Sequence, residues 1–556
     1  MPSGDADLVF VGGRVYATSP SGVPTEAVAV RQGRIAAVGG EEDIRSLIGR
    51  STEVVNLNGG MLLPGFQDAH VHAQQGGLER LRCDLTQGET QRDYLQIIGE
   101  YARANPNAEW ILGGGWSMPA FPGGLPDRAS LDPIVHERPV FLPNRDHHSA
   151  WVNSRALGLA GITAATPNPP GGRIERGSDG EPTGVLHESA MRLVEDMVPP
   201  PDEGELRRAL LLAQAYLHSL GVTAWQDAWV GSGPSMVDSY DTYRRLDSQG
   251  LLTARVVGAL WWQRDGDSDQ LLGLIERRAE TLEAGGRFRA TSVKIMQDGV
   301  CETFTAAMLD PYLDEHGRET DNRGLSFIDP EALASYVTAL DAAGFQVHFH
   351  AIGDRATREA LDAIDAARRA NGRNDLRHHL AHLQVVHPDD YPRFAELGAA
   401  ATVQPLWACL DPQMVELTLP FLGPDRTALQ YPFGSLVTHG ASLAFGSDWP
   451  VSSPDPLELL HVAVNRTEPG AAAGGQVLLP EERLTLDQSL QAYTMGSAYV
   501  NHLDADSGSI EAGKFADLVV LDRDLTAAGS GDLLGGTVQL TFVAGEKVFE
   551  AAQTGG

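Results

Sequence analysis

The chain has 556 residues, of which 42% are hydrophobic and 21% are charged, and its formal net charge is -32 at pH 7. This length predicts a barrel-sized domain with one or two smaller modules, and no run approaches the ~20 apolar residues of a membrane-spanning helix. The negative charge excludes nucleic acid as an expected partner, because a phosphate backbone is bound by a basic surface, and leaves a small molecule as the expected substrate.

The two ends of the chain carry the same pattern of short strands. The first residues, MPSGDADLVFVGGRVYATSP, lack the basic and apolar segments of a secretion signal, so we expect a cytoplasmic protein. Apolar and polar residues alternate in AVAVRQGRIAAVG, and again near the other end in GSIEAGKFADLVVLDRD and VQLTFVAGEKVFE. Neither end alone has enough strands for a stable sheet, so residues 1–58 and 503–556 are predicted to form one composite β-sandwich domain.

Between the two ends, apolar runs alternate with helical patterns, which is typical of parallel strands joined by crossover helices. Eight runs lie at residues 61–69, 221–228, 254–260, 291–299, 345–353, 377–385, 400–407 and 442–451. They predict an α/β fold, a (β/α)8 TIM-type barrel built from residues 59–73 and 200–502. The gap of about 150 residues after the first run exceeds a normal crossover. Residues 74–199 are therefore predicted to form an inserted subdomain over the barrel mouth.

Candidate metal ligands fall at the carboxyl ends of the predicted strands, where the active sites of such barrels lie. His70 and His72 in DAHVHA project to the same side of an extended backbone and can hold one cation, although this spacing alone is a weak signal. His350 in QVHFHAIGD, His382 in RHHLAHLQ and Asp448 in AFGSDWPV follow at three further strand ends. An aspartate at such a turn often caps a helix, but the other candidates around the same axis favour a ligand or general base.

Other polar residues of these runs have structural interpretations. His348 lies deeper in the predicted barrel and is expected to pack or to support a ligand, and Asp354 is expected to cap the next helix. His378 and His379 precede the carboxyl end of their strand and are expected to be structural.

Lysine is rare in this sequence. The chain has three lysines, Lys294, Lys514 and Lys547, among 42 basic residues, and only Lys294 precedes the last fifty residues. Where arginine is so strongly preferred, a retained lysine indicates chemistry that a guanidinium group cannot supply. Lys294 lies in the fourth run, SVKIMQDG. Reaction with carbon dioxide would give a carbamate whose two oxygens can bridge two divalent ions; a chance surface lysine is the alternative.

These motifs resemble the amidohydrolase superfamily, and within it the YtcJ-like metal-dependent hydrolases, a group that includes N-substituted formamide deformylase. The similarity runs through LLPGFQDAHVHA, RPVFLPNRDHHSAWVNSRALGLAGI, GEPTGVLHESA, HFHAIGDRA, AFGSDWPV and GSIEAGKFADLVVLD. The resemblance implies one or two zinc ions, with manganese, iron or nickel as alternatives. By matching motifs it implies that one metal is held by His70 and His72 and the other by His350 and His382, with the carbamate of Lys294 bridging and Asp448 at the reaction centre.

The predicted function is that of a metal-dependent hydrolase that cleaves a non-peptide C–N bond of an amide, with Asp448 as base and then acid. Formamides of bulky or aromatic amines are the first expectation, from the resemblance only. Alternatives are hydrolysis of a cyclic amide, lactone or phosphoester at the same site, or a non-catalytic binding or regulatory protein on this fold. The sequence leaves the oligomeric state open, with a homodimer among the alternatives.

Three further side chains are candidate substrate contacts. His148 in DHHSAWVN and Trp116 in GGGWSMP belong to the predicted inserted subdomain, and Gln404 in ATVQP follows the seventh run. Trp116 also suits a hydrophobic core, and His187 in GVLHESA is expected to have an exposed or structural role.

Overall fold

Eight parallel strands form the centre of the computed structural model, which describes residues 5–17, 25–233, 236–471, 475–527 and 533–552. The strands pair in chain order, each with the next. Barrel strands 1 to 8 are Phe66–Val71, Val222–Val230, Arg255–Trp261, Phe288–Met296, Gln346–Ala351, His379–His382, Ala400–Val403 and Ser442–Phe445. Each coincides with one of the eight predicted runs, so the predicted TIM-type barrel is confirmed.

Barrel strands 8 and 1 are joined at their carboxyl ends. The amide of Asp448 donates to the carbonyl of His70, and the amide of His72 donates to the carbonyl of Trp449, both at 2.8 Å. Gly446 permits this approach, because a Cβ atom there would lie 2.6 Å from the Cβ atom of His70. The loop after strand 8 is therefore held against the end of strand 1.

Helices cover the outside of the barrel. Those between or next to the barrel strands are Glu203–Ser219, Tyr240–Ser248, Gln270–Ala284, Pro330–Ala342, Asp354–Asn371, Tyr391–Leu397, Phe433–Thr438 and Pro456–Asn465. Shorter or later helices are Glu41–Arg45, Leu419–Thr427, Leu486–Gln491 and Ser497–Val500. Apolar residues at helical spacing, such as Leu361 and Ile364, are buried against the strands. Within the described residues, no helix has the length and apolar character needed to cross a membrane.

Strands from both ends of the chain form a β-sandwich. One sheet contains Leu8–Val11, Ala27–Arg31, Arg34–Gly39 and Glu53–Asn56, and the other contains Arg14–Val15, Met61–Pro64, Leu518–Leu521, Val538–Val543 and Glu546–Glu550. Phe10 and Phe542 meet edge to face with ring centroids 5.2 Å apart. The two ends of the chain thus share one hydrophobic core.

The first predicted barrel strand, residues 61–69, is divided between two sheets. Met61–Pro64 pairs with Leu518–Leu521 in the sandwich, and the barrel strand begins only at Phe66. Gly65 lies at the crossing, where a Cβ atom would come within 2.4 Å of the side chain of Thr223. Both halves of the run are buried and apolar, so the sequence pattern did not reveal the change of sheet.

The residues between barrel strand 1 and helix Glu203–Ser219 form a further layer. Its six-stranded sheet contains, in spatial order, Gly172–Arg176, Pro182–Glu188, Ser149–Val152, Val140–Pro143, Ile111–Gly114 and Cys83–Asp84. Its helices are Ala73–Leu81, Gln91–Ala104, Arg128–Leu131, Ser154–Leu159 and Arg192–Glu195. Trp116 and Trp151 centre a core that is separate from the core of the barrel. This layer also brings His148 and Glu188 to the cavity at the barrel mouth.

Candidate metal centre

Two histidines and an aspartate meet where barrel strands 1 and 8 end. Nε2 of His70 lies 3.1 Å from Oδ1 of Asp448, and Nε2 of His72 lies 3.0 Å from the same oxygen. All three side chains are buried. The backbone hydrogen bonds between the two strand ends hold these residues at that separation.

His382 and His350 approach the same point from barrel strands 6 and 5. The rings of His382 and His70 have centroids 4.8 Å apart, and those of His382 and His350 are 4.4 Å apart. Nδ1 of His382 lies 3.9 Å from Oδ2 of Asp448. One ligand atom from each of His70, His382 and Asp448 lies within 4.8 Å of the other two, a spacing that suits a single divalent ion.

Lys294 projects from barrel strand 4 into the same cluster. Its Nζ atom lies 3.5 Å from Nε2 of His70, and the side chain is buried. Burial lowers the pKa of Lys294 to about 7, against the opposing effect of the Asp448 carboxylate. A buried amine of this kind exists partly in its neutral form near neutral pH, and the neutral form is the one that reacts with carbon dioxide.

The protonation and hydrogen bonding of these side chains fit a metal ion. Burial lowers the pKa of His70 to about 3, and it holds the pKa values of His350 and His382 well below their usual range, so these imidazoles are neutral. Neutral imidazole is the form that coordinates metals. Nδ1 of His382 is buried without a hydrogen-bond partner among the described residues, and Oδ1 of Asp448 makes no hydrogen bond of suitable geometry despite the imidazole nitrogens at 3.0 and 3.1 Å. A cation would satisfy both atoms.

Neighbouring polar groups orient the candidate ligands. Nδ1 of His70 lies 2.8 Å from Nε2 of His348, whose Nδ1 lies 2.6 Å from Oε1 of Gln226. Nδ1 of His350 lies 3.1 Å from Oδ1 of Asp298. A histidine that donates one ring N–H to such a partner presents its other nitrogen to a metal.

Asp298 was missed by the sequence analysis. It follows barrel strand 4, and its carboxylate accepts hydrogen bonds from the amides of Ala307, Ile352 and Gly353. Burial raises the pKa of Asp298 to about 7, against those three hydrogen bonds. Its position in QDG, four residues after Lys294 at a strand end, was the only available signal.

The cluster lies at the bottom of a cavity of about 900 Å³. Trp229 and Trp261 stack with ring centroids 3.5 Å apart on one wall, and Trp407 stacks on the ring of His382 with centroids 5.2 Å apart. The inserted subdomain contributes His148, whose Nδ1 lies 2.8 Å from Oε1 of Glu188. Burial would lower the pKa of His148, but the Glu188 carboxylate outweighs it and the pKa rises to about 9.

The other two candidate substrate contacts lie away from this cavity. Trp116 is packed in the core of the inserted subdomain, where its indole N–H donates to the carbonyl of Leu142 at 2.8 Å, and it does not line the cavity. Gln404 is fully buried beyond barrel strand 7 and is likewise absent from the cavity wall, and its amide makes no hydrogen bond with a described residue.

The remaining polar residues of the motifs are structural. His378 lies 2.9 Å from Asp341, and His187 lies 2.8 Å from the hydroxyl of Ser149. His379 is buried beside the hydroxyl of Thr402 at 2.8 Å.

Asp354 was predicted to cap its helix, but it does not. Gly353 occupies the capping position, and the Asp354 carboxylate accepts a hydrogen bond from the amide of Leu309 at 2.8 Å. The carboxylate therefore ties the helix to a neighbouring loop.

Comparison with known proteins identifies the family of this chain. The model of the Amidohydrolase family matches residues 53–549. The chain is 34% identical to Protein LONG AFTER FAR-RED 3 of Arabidopsis thaliana, over 98% of this chain and 92% of that protein. It is 29% identical to N-substituted formamide deformylase of Arthrobacter pascens, over 98% of each chain. A metal-dependent hydrolase of Pyrococcus horikoshii shares the fold, with a TM-score of 0.71 at 24% identity over 94% of this chain and 99% of the other. The chain belongs to the amidohydrolase family.

Proposed function

We propose that this protein is a metal-dependent hydrolase that cleaves a C–N bond of a small amide other than a peptide bond. The observation that carries the proposal is the convergence of buried side chains from five barrel strand ends on one point below a cavity. These side chains are His70, His72, Lys294, His350, His382 and Asp448. A divalent metal held there would supply a water of lowered pKa and polarise the substrate carbonyl.

The proposed donor set suits zinc, which accepts imidazole nitrogen and carboxylate oxygen. A single ion would be held by His70, His382 and Asp448. With two ions, His70 and His72 would hold one and His350 and His382 the second. The carbamate of Lys294 would bridge the two. The low pKa of the Lys294 amine and its 3.5 Å separation from His70 support this modification.

Asp448 is the proposed proton carrier. Its two histidine neighbours hold the pKa of its carboxyl well below the usual range despite burial, so the group is ionised and can accept a proton. The same oxygen lies 3.0 Å from Nε2 of His72 and 3.1 Å from Nε2 of His70, which fixes its position at the bottom of the cavity. Asp448 would take a proton from the attacking water and then deliver it to the departing nitrogen.

Formamides of bulky or aromatic amines are the first proposed substrates, because a relative that matches 98% of this chain is named N-substituted formamide deformylase. The aromatic cavity wall formed by Trp229 and Trp261 supports a bulky apolar substituent. Three buried free cysteines, Cys83, Cys301 and Cys409, support a reducing, cytoplasmic location as part of this proposal.

The test is elemental analysis of the purified protein, followed by assays of N-formyl and N-acyl amines, lactones and phosphoesters with metal removed and restored. We expect bound zinc, hydrolysis of at least one amide, loss of that activity on chelation and its recovery on zinc addition. A metal-loaded protein that hydrolyses only lactones or phosphoesters would refute the proposed bond type. A protein without metal and without any hydrolase activity would favour the non-catalytic alternative.

A further inference from the structure

A second chamber adjoins the metal cavity. It has a volume of about 880 Å³ and shares Trp407, Val300, Val451 and Asp146 with the wall of that cavity. Trp407 stands between the two, because one face of its ring stacks on the candidate ligand His382 while its side chain also lines the second chamber. The two spaces therefore adjoin at Trp407.

The second chamber is strongly acidic. Among the described residues it is lined by one cation, Arg145, and by six carboxylates, Glu89, Asp146, Glu302, Asp411, Glu416 and Glu468. The whole chain has 74 acidic and 42 basic residues, so the ratio of acidic to basic side chains is higher in the chamber than in the chain as a whole. None of the six carboxylates forms a salt bridge within the part of the chain that the structure describes.

Two of the carboxylates in the chamber are repelled by a neighbouring carboxylate. Asp146, Glu302 and Asp411 are partly buried, whereas Glu89, Glu416 and Glu468 are exposed. Burial and the neighbouring Asp146 raise the pKa of Glu302, and burial and the neighbouring Glu468 raise the pKa of Asp411. A ligand with a positive charge would relieve this repulsion.

Tyr431 supplies an independent sign of a ligand. Its side chain is 2% exposed and lines the chamber close to Glu302 and Asp411. The phenol oxygen makes no hydrogen bond with a described residue and is not among the buried atoms that lack a partner, so it is open to the chamber that the side chain lines. A hydroxyl that is open to the chamber and has no protein partner can donate or accept a hydrogen bond with a ligand there.

We propose that the second chamber binds a cationic group, an alkylammonium, carried by the substrate whose amide bond is cleaved at the metal centre. This inference rests on the proposed function, because it assumes that the bound molecule is a substrate of the metal centre. Binding of the cation in the chamber does not depend on catalysis. The six acidic side chains attract the charge, Tyr431 accepts a hydrogen bond from the ammonium, and Trp407 separates the charged end from the reacting amide.

The first test measures binding to the metal-loaded protein by calorimetry, with hexamethylenediamine as the cationic probe and hexanediol as its neutral counterpart. We expect the diamine to bind more tightly than the diol, and to lose about tenfold in affinity in the double variant Glu302→Gln, Asp411→Asn. The glutamine retains an oxygen that can accept the hydroxyl of Thr418, as Glu302 does at 3.0 Å. The matched control Glu276→Gln, an exposed glutamate on an outer barrel helix, should bind the diamine as the wild type does.

The second test compares kcat/KM for N-(aminoalkyl)acetamides, from aminobutyl to aminooctyl, with neutral N-alkylacetamides of the same length. We expect a preference for the cationic series that the double variant loses, because its kcat/KM falls further for the cationic series than for the neutral series. Equal diamine affinity in the wild type and the double variant would overturn the inference. Hydrolysis without any preference for the cationic series would also overturn it and leave the proposed function intact. Diamine binding without hydrolysis of any amide would refute the proposed function alone.

Discussion

The amide of Asp448 donates a hydrogen bond to the carbonyl of His70 at 2.8 Å, and the side chains of the same two residues meet at 3.1 Å. The backbone contact joins barrel strands 8 and 1, and the side-chain contact forms part of the candidate metal centre. The same two residues therefore close the barrel and form part of the candidate metal centre. A change that opens this junction should weaken metal binding even if it leaves every candidate ligand in place.

Gly446→Ala tests that relationship. A Cβ atom at this position would lie 2.6 Å from Cβ of His70, so we expect a loss of about 1–3 kcal/mol in the free energy of unfolding and weaker metal binding. Denaturant unfolding and metal titration measure the two effects. Gly158→Ala is the control, because a Cβ atom on that helical glycine meets nothing within 4 Å and should be neutral or stabilising. Normal stability and metal affinity in Gly446→Ala would show that the junction accommodates a Cβ atom and would contradict the prediction.

Asp448→Asn should remove the proposed proton acceptor while keeping the size of the side chain. We expect kcat to fall by about 10³-fold or more, since an amide cannot accept the proton, with metal retained by the histidines. Steady-state kinetics and elemental analysis of the same preparation separate the two effects. Near-normal turnover with bound metal would rule out the assigned role.

Lys294→Arg should lower the metal content, because a guanidinium group cannot form a carbamate and carries a permanent positive charge into the cluster. Intact-protein mass spectrometry of the wild type under native conditions should show the added mass of one carbon dioxide, which the variant lacks. Lys514→Arg, at a partly buried site in the C-terminal segment, is the matched control. Unchanged metal content in Lys294→Arg would contradict the bridging role.

Asp298→Asn should affect the metal centre through His350. Loss of the carboxylate that lies 3.1 Å from Nδ1 of His350 should lower metal affinity or activity by about 10–100-fold. Asp341→Asn alters a similar pair, 2.9 Å from Nε2 of His378, at the other end of the barrel strands. We expect Asp341→Asn to reduce stability while metal affinity stays normal. Equal effects of both variants on metal affinity would indicate a general loss of structure.

The pair of His148 and Glu188 predicts a pH-dependent contribution to stability. The folded-state pKa of His148 is raised to about 9, whereas a histidine in an unfolded chain titrates near ~6.5. The stabilisation is therefore complete below about pH 6.5 and is lost as the pH rises through about 9. We expect the difference in Tm between the wild type and Glu188→Gln to shrink over this range. The control Glu276→Gln should differ from the wild type by the same amount at every pH, and a constant difference for Glu188→Gln would refute the prediction.

The barrel was predictable because its signal is local. Each buried parallel strand is a short apolar run, and each crossover helix has apolar residues at helical spacing, so eight repeats identified the fold without any distant contact. His70, His72, His350, His382 and Asp448 could be selected for the same reason. Parallel strands of a barrel end on one side, so the position of a residue within its run predicts which rim it occupies.

Other features depended on contacts between residues far apart in the chain. Nothing local in the run 61–69 marks Gly65 as the crossing between two sheets, because the constraint comes from Thr223 and from the pairing of Met61–Pro64 with Leu518–Leu521. Asp298 reads as an ordinary turn residue until the fold brings it to His350. Sequence by itself determined the fold class and the candidate ligands, since periodicity and strand ends are local properties. Only the tertiary structure decided which buried polar groups support those ligands and which side chains line the two chambers, since these depend on through-space neighbours.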